Sequence, residues 1–522
     1  GFLLNGRRVK LRGVNLHHDA GAVGAAVPER VWERRLEVLR AMGANAIRTS
    51  HNPPAPEFLD LCDRLGFLVM AEAFDEWTMG KVPEGYHRYF AEWSERDVTD
   101  FVRRDRNHPS IVLWSAGNEI GEQDTPDGVP VLRRLLDIFH REDPTRPVTT
   151  GNDHIAADGG RATLAFLNAL DIVGYNYVDR WHERREIFAE QDRHDHPEWR
   201  MIGTESVAAA DPFGGTYSLG SDSAVARPNY TSGMIRAERL WKWVATHDYF
   251  AGDFMWTGID YLGESTWPFK GFASGAMDIT GHPKDAYYLW QSQWTDRPVL
   301  HLFPHWNWPG REGQVIPVLA YTSCNIVELF LNGRSLGEKH LEFPAQGTSG
   351  GWNTYALPRV NATTNDLHLS WDVPYEPGVL RAVGRRRDGT VACEAEVRTA
   401  GVPAAVRLVA DRDTITADPR DVAHVTFEIV DSAGTVVATA DNLVHFTVAG
   451  GSILALDNAN LQDHDPYRSD RRHAFNGRGL AILRAAQPGL LRLTASADGL
   501  RPASVTIWVR RGDAPEPVPA AR

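Results

Sequence analysis

The first 297 residues alternate between short apolar runs and longer segments with helical periodicity. Between the runs, PERVWERRLEVLRAMG (28–43) and APEFLDLCDRLG (55–66) begin near a Pro and end in Gly, as amphipathic helices commonly do. Eight strand–helix units in a stretch of this length predict a (β/α)8 barrel. A doubly wound sheet is the alternative, but no Gly-rich phosphate loop follows the first run. The eight predicted strands cover 10–18, 45–51, 67–73, 110–119, 147–153, 171–177, 200–206 and 251–260.

The pattern changes after the barrel segment, 1–297. HLFPHWNWPGREGQ (301–314) has the composition of a connection, and short alternating runs with Asn-Gly turn signals follow it. We therefore expect an α/β fold, a TIM barrel followed by two small β-sandwich domains of immunoglobulin-like type at 305–400 and 402–511. The last residues, 512–522, have the composition of a disordered tail.

Composition narrows the choice of partner. The net charge of −13 argues against a nucleic-acid partner, and no apolar run approaches the roughly 18 residues of a membrane span. The three cysteines show no metal-ligand spacing; Cys324 and Cys393 could pair, but free thiols are favoured. Because the chain opens with Gly1 and almost at once enters a strand, we expect a longer protein with any export signal upstream. Compartment and homo-oligomer formation stay open.

Polar side chains gather at the carboxyl ends of the eight predicted strands. In a closed barrel these ends surround one mouth, so the side chains should line a common cavity. They include carboxylates, His, Asn, Tyr and Trp, but no Ser–His–Asp set, no Cys nucleophile and no strand-end Lys for Schiff-base chemistry.

Glu119 and Glu205 end the fourth and seventh predicted strands, across the mouth from each other. Two carboxylates that face one cavity are what glycoside hydrolysis requires. Alternatively, each Glu simply ends a strand or pairs with Arg48 to shape the barrel. A metal site that uses His17, His18 and Asp19 is a further alternative, although no compact HxH or HExxH set completes it.

Several motifs carry a resemblance to a known family. LRGVNLHHD (11–19), SHNPP (50–54), HPSIVLWSAGNE (108–119), IVGYNY (172–177) and GTES (203–206) resemble glycoside hydrolase family 2, which includes β-galactosidases and β-glucuronidases. The later segments PKDAYYLWQSQW, PHWNW and VELFLNGRSLG resemble its β-galactosidase branch, which carries extra C-terminal β-domains. Family members normally begin with a jelly-roll and an immunoglobulin-like domain, and this chain contains neither.

The resemblance implies roles for individual residues. Glu119 matches the acid/base and Glu205 the nucleophile of a retaining double displacement, and Tyr177 matches a tyrosine that contacts the nucleophile, with Tyr175 as the fallback. Asn118 matches the residue that holds the sugar 2-hydroxyl. The other substrate-binding residues that we expect are His17, Asp19, His51, Asp75, Tyr175 and Trp256.

Two departures from the family refine this expectation. Some relatives hold magnesium with a His shortly after the third strand, but AEAFDEWTMG (71–80) has none, so we predict no metal and no cofactor. The Asn-x-Lys signature of glucuronidases is missing from GFASGAMDITG (271–281), which favours a neutral sugar. We expect hydrolysis of terminal non-reducing β-D-galactose from an oligosaccharide or glycoconjugate. The alternatives are β-glucuronidase or β-mannosidase activity, or a non-catalytic carbohydrate-binding fragment.

Overall fold

The computed structural model describes residues 1–153, 155, 162–177, 184–207, 232–341 and 367–512. The predicted disordered tail, apart from Gly512, lies outside these residues. A short antiparallel hairpin opens the chain, formed by β1 (Leu3–Leu4) and β2 (Arg7–Arg8).

Eight parallel strands then close into a barrel in chain order, with the last strand hydrogen-bonded to the first. Seven of the eight predicted runs contain their strand, and the eighth, 251–260, misses only Phe250 of β10, which confirms the predicted barrel. The strands are β3 (Leu11–His17), β4 (Ala46–Ser50), β5 (Leu68–Glu72), β6 (Ile111–Asn118), β7 (Val148–Asn152), β8 (Val173–Asn176), β9 (Met201–Ser206) and β10 (Phe250–Met255).

Helices on the outside connect the strands. The two predicted Gly stops are confirmed, since Gly43 and Gly66 end the first two helices with left-handed φ angles of 98° and 76°. In the connection after β7, the described residues hold only one four-residue helix. The helices are α1 (Glu29–Met42), α2 (Pro56–Leu65), α3 (His87–Asp105), α4 (Gly128–Glu142), α5 (Leu164–Leu167), α6 (Arg184–Asp195), α7 (Ser232–Thr246) and α8 (Asp285–Trp294).

Apolar side chains fill one end of the barrel. A compact cluster takes one buried residue from each of six strands: Leu11, Ala46, Met70, Leu113, Ile202 and Phe254. Leu11, Ala46, Leu113 and Ile202 lie in the first half of their strands and Met70 lies at the centre of β5, so the cluster plugs the amino-terminal side. The cavity that remains lies at the carboxyl ends, where the polar residues stand.

Antiparallel sheets make up the rest of the chain. A hairpin, β11 (Tyr261–Leu262) and β12 (Gly271–Phe272), follows the barrel. Two sheets then come together from β13 (Leu300–Phe303), β14 (Val315–Thr322), β15 (Ile326–Leu331), β16 (Arg334–His340), β17 (His368–Pro374), β18 (Val379–Arg385) and β19 (Val391–Arg398). The last two sheets contain β20 (Ala405–Ala410), β21 (Thr414–Thr416), β22 (Ala423–Val430), β23 (Leu443–Ala449), β24 (Ser452–Asp457), β25 (Arg471–His473), β26 (Arg478–Arg484), β27 (Gly489–Ser496) and β28 (Ala503–Arg510).

The predicted fold class, a barrel followed by β-sheet domains, is confirmed. One detail was wrong: β13 occupies residues that we expected to form a connection, because Leu302 and Phe303 are buried against the barrel's outer layer. The domain boundaries at 297–305 and 402 stay predictions.

The apolar cores are not divided as the sheets are. One continuous cluster runs from the barrel through Trp290 and Trp294 of α8 into the first two sheets, where it includes Trp306. The last two sheets enclose a separate cluster around Phe427 and Phe446. They contact the barrel through two smaller clusters, one at α1 and one at the β11–β12 hairpin. Within the described part of the chain, no helix has the length and apolarity needed to cross a membrane.

Candidate active site

The barrel mouth brings Glu119 and Glu205 together. Asn176, at the end of β8, lies between them: its Nδ2 donates to Glu119 Oε1 at 3.1 Å and is 3.4 Å from Glu205 Oε2. The two carboxylate oxygens can be no farther apart than the sum of these distances, because that separation requires Asn176 Nδ2 to lie on the line between them. That limit is at the lower end of the roughly 6.5–9.5 Å of inverting glycosidases, so the geometry favours the closer pair of retaining ones.

A fully buried arginine organises the floor of the mouth. Arg48 donates to Glu205 Oε2 at 3.0 Å, to Glu72 Oε2 at 2.7 Å and to Asn118 Oδ1 at 2.8 Å. Ser115 Oγ donates to the same Glu72 oxygen at 2.6 Å. The alternative that a strand-end Glu pairs with Arg48 therefore holds for Glu205. Pairing with Arg48 does not exclude a chemical role for Glu205, because the same carboxylate also faces Asn176.

Glu119 and Glu72 differ in their electrostatic setting. Burial, then the negative charges of Glu205 and Asp153, raise the pKa of Glu119 to about 7. Burial alone would raise the pKa of Glu72 as well, but Arg48 and His51 outweigh it and hold this pKa below its ordinary value. Glu119 can therefore carry a proton near neutral pH, whereas Glu72 stays ionised.

The backbone is strained where the strands deliver these groups. Glu119, Tyr177 and Val207, each directly after a barrel strand, have φ angles of 42°, 54° and 54°. Non-glycine residues seldom adopt such angles, and they tend to do so at functional sites. Two of them are held by hydrogen bonds: Glu119 N–H donates to the Gly151 carbonyl at 2.7 Å, and Tyr177 N–H donates to the Glu205 carbonyl.

Aromatic rings form one wall. Trp256 stacks on His51, with ring centroids 5.1 Å apart and planes 6° apart, and His17 meets both rings edge-on. His17 also stacks on Tyr261 at 4.1 Å. Burial, followed by the charge of His51, lowers the pKa of His17 to about 3, so this ring is neutral. Its buried Nε2 has no hydrogen-bond partner among the described residues.

The predicted residues Asn118, His51 and Asp75 also meet. Asn118 Nδ2 donates to Asp75 Oδ1 at 3.2 Å and lies 3.4 Å from His51 Nε2. Lys81 Nζ donates to Asp75 Oδ1 at 2.6 Å and to the Asn118 carbonyl at 2.9 Å. These contacts fix the amide of Asn118 next to Glu119.

Tyr175 is a correction. We expected it to bind substrate, but its hydroxyl donates to Asp192 of α6 at 2.7 Å and its ring lies in the core outside the barrel. The reason is the pleat of β8, which turns successive side chains to opposite faces. Asn176 takes the inward position, and Tyr177 follows it beside Glu205.

The Asp19 carboxylate accepts two hydrogen bonds from backbone N–H groups. Its Oδ1 accepts from Gly21 N–H at 2.6 Å and its Oδ2 from Leu262 N–H at 3.2 Å. It therefore anchors the hairpin that carries Tyr261, and its contact with substrate stays a prediction.

Three residues that we did not expect among the catalytic or substrate-binding residues prove central. They are Arg48, Glu72 and Asn176. Arg48 stands within an apolar strand between Ile47 and Thr49, and such a charge is a signal that it meets an opposite charge inside the barrel. The alternation of side chains along β8 would have placed Asn176 and Tyr175 on opposite faces of the strand.

Among the described residues, one group of three side chains has the spacing of a metal site. Asp60, Asp63 and His108 lie on the outside, before the amino end of β6 and away from the mouth. His108 Nδ1 is already bonded to Asp63 Oδ2 at 2.7 Å. The group has no connection with the chemistry of the mouth.

Comparison with known families gives a consistent assignment. Residues 1–296 match the model described as "Glycosyl hydrolases family 2, TIM barrel domain", and residues 406–506 match "Glycoside hydrolase family 2 C-terminal domain 5". Residues 313–393 match a domain of unknown function.

Similar proteins include β-galactosidase BoGH2A of Bacteroides ovatus, which is 39% identical over 97% of this chain and 62% of its own length. A putative β-glucuronidase of Formosa agariphila is 33% identical over 93% of this chain and 47% of its own length. The chain thus spans about half to two thirds of these relatives.

Solved structures agree. A glycosyl hydrolase family 2 member from Bacteroides cellulosilyticus superposes with a TM-score of 0.83 at 34% identity, over 98% of this chain and 64% of that one. A β-glycosidase from Bacteroides vulgatus gives 0.82 at 33% identity, over 98% and 65%.

Proposed function

Because the chain belongs to glycoside hydrolase family 2, we propose that its barrel hydrolyses β-glycosides with retention and removes terminal non-reducing β-D-galactose. One observation carries the proposal: Asn176 contacts both Glu119 and Glu205, and Glu119 has a pKa of about 7. A close pair with one protonated member is the requirement for this reaction.

The mechanism assigns one role to each carboxylate. Glu205 attacks the anomeric carbon and forms an ester with the sugar, while Glu119 gives its proton to the departing oxygen. In the second step Glu119 takes a proton from water, whose oxygen attacks the same carbon and releases Glu205. A pKa near 7 suits both steps, because the acid and the base forms are each accessible at neutral pH.

Neighbouring groups would hold the reactants. Arg48 fixes the attacking oxygen of Glu205 through their 3.0 Å contact. Asn118 would hold the 2-hydroxyl of the sugar, and the neutral His17 offers Nε2 to a second hydroxyl. The stacked Trp256 and His51 would form the apolar wall against the sugar ring.

The choice of galactose over glucuronate has two supports. The relative BoGH2A is named a β-galactosidase. In the described part of the mouth, Arg48 is paired with Glu72 and Glu205, and Lys81 is paired with Asp75. A glucuronate carboxylate would have to compete for one of these paired cations.

Two experiments test the proposal on purified protein. On a panel of nitrophenyl β-glycosides, the galactoside should give the highest kcat/KM; a higher value for the glucuronide would transfer the assignment to that sugar. No hydrolysis of any member would support a non-catalytic role.

A 2-deoxy-2-fluoro-galactosyl fluoride should trap the enzyme, with the label on Glu205 in peptide mapping. A label on any other residue would refute the assigned nucleophile. The variant Glu205→Gln should stay unlabelled, whereas Glu57→Gln, on the exposed surface of α2, should be labelled as the wild type is.

A further inference from the structure

An exposed tryptophan lies in the loop of the hairpin that follows the barrel. Trp267 lies in the loop between β11 and β12 and is 81% exposed, which is unusual for so large an apolar side chain. The hairpin begins at Tyr261, whose ring stacks on His17 inside the site. Six residues further along the chain, Trp267 can lie at most about 20 Å away.

The loop is fixed by the last pair of sheets. Lys270 N–H donates to the Leu461 carbonyl at 2.9 Å, and Lys270 Nζ donates to the Asp463 carbonyl at 2.7 Å. Phe269 packs against an apolar cluster that includes Leu461 and Ile279. The exposure of Trp267 is therefore a feature of a well-anchored loop.

His464 completes a flat surface with this tryptophan. The two rings are stacked, with centroids 4.5 Å apart and planes 21° apart. His464 Nε2 donates to the Pro268 carbonyl at 2.7 Å, which fixes the ring. One face of the indole is thus covered and the other faces outward. Exposed polar side chains, among them Glu264 and Asp465, lie within three residues of Trp267 or His464 in the sequence.

We propose that Trp267 and His464 form a subsite for the leaving group, in which a pyranose ring beyond the scissile bond stacks on the exposed indole face. This inference rests on the proposed glycosidase function. The C–H faces of a pyranose are apolar and flat, so they match an aromatic ring, and the neighbouring polar side chains can bind its hydroxyls. The natural substrate is then an oligosaccharide with several sugars after the terminal residue.

The test compares two substrates in Trp267→Ala. For an oligosaccharide of at least four sugars with a terminal β-galactose, kcat/KM should fall about tenfold, which corresponds to about 1.4 kcal/mol. For nitrophenyl β-galactoside, which has no pyranose ring beyond the scissile bond, it should stay within about twofold. Trp267→Phe should keep most of the activity on the oligosaccharide, and His464→Ala should lose part of it.

Trp508→Ala is the matched control, since Trp508 is 61% exposed on β28. It should change neither substrate. The proposal is overturned if Trp267→Ala affects both substrates equally or leaves the oligosaccharide unaffected. It is also overturned if light scattering shows that Trp267→Ala changes the oligomeric state, because the surface would then be a subunit contact.

If the wild type hydrolyses neither substrate, the proposed function fails separately. Calorimetric titration with the same oligosaccharide then decides the subsite. Weaker binding by Trp267→Ala than by the wild type supports it, and equal or absent binding refutes it.

Discussion

Replacing Arg48 by Met should destabilise the barrel strongly, and by an amount that depends on pH. Arg48 contacts Glu72 and Glu205, which are 0% and 4% exposed, and its loss leaves both carboxylates without their cation. Removing one partner of a buried ion pair typically costs about 3–5 kcal/mol. Met fills a similar volume, so the effect reports mainly charge.

The pH dependence sets an upper limit to the destabilisation caused by each unpaired carboxylate. A buried Glu without its partner can always take up a proton, so its penalty cannot exceed the cost of protonation. From the ordinary Glu value of 4.5, that cost is about 4 kcal/mol at pH 7.5 and roughly 1 kcal/mol at pH 5.0. In the wild type, the contribution of Glu72 to stability changes with pH in the opposite direction. Its pKa is lowered in the folded state, so the stabilisation is present above the unfolded pKa and is lost only in more acidic solution.

Urea denaturation at the two pH values measures the difference in the free energy of unfolding. Arg48→Met should be less stable than the wild type at pH 7.5 by several kcal/mol, and the gap should narrow at pH 5.0. As a control, Arg64→Met removes an exposed pair with Glu29 and should change stability by at most about 1 kcal/mol at either pH. A gap below 1 kcal/mol at pH 7.5, or one independent of pH, would refute the reasoning.

Three further predictions concern the site and the fold. Because Glu119 must be protonated to act as an acid, kcat/KM should fall as pH rises through about 7, and Glu119→Gln should lose this alkaline fall in activity. Denaturation at pH 8 should show that Glu119→Gln gains up to about 3 kcal/mol of stability, because it removes a buried charge. Asn176→Ala removes a hydrogen bond that lowers the pKa of Glu119, so the alkaline limb should move to higher pH; an unmoved limb would count against the contact. Gly43→Ala should lower the melting temperature more than Gly66→Ala, because only the first places a Cβ within 2.6–2.8 Å of Trp294, although both have positive φ; equal shifts would contradict this.

Much of the barrel could be predicted because its signals are local. Apolar runs marked the strands, and Gly stops marked the ends of α1 and α2. The fold class followed from the number and order of these segments.

The details of the site depend on contacts between distant segments. The prediction that Tyr175 binds substrate was wrong because the alternation of side chains in a four-residue strand decides which of them enters the barrel. The role of Arg48 depends on residues of three other strands, β5, β6 and β9, whose carboxyl ends meet at one mouth only after the barrel closes. Tyr261 could not be assigned because it belongs to a hairpin that folds back over the mouth. Long-range geometry of this kind leaves no periodic trace in a single sequence.

The continuous core shared by the barrel and the first pair of sheets limits how this protein can be rearranged by recombination. A crossover near residue 297 would separate Trp290 and Trp294 from Trp306 and would expose apolar surface on both pieces. A crossover near residue 402 leaves the core around Phe427 whole and divides only small contact clusters. The last pair of sheets is therefore the exchangeable module, and it is the one that anchors the loop carrying Trp267. Under the proposed leaving-group subsite, exchange of that module would keep Glu119 and Glu205 and change the preference for the leaving group.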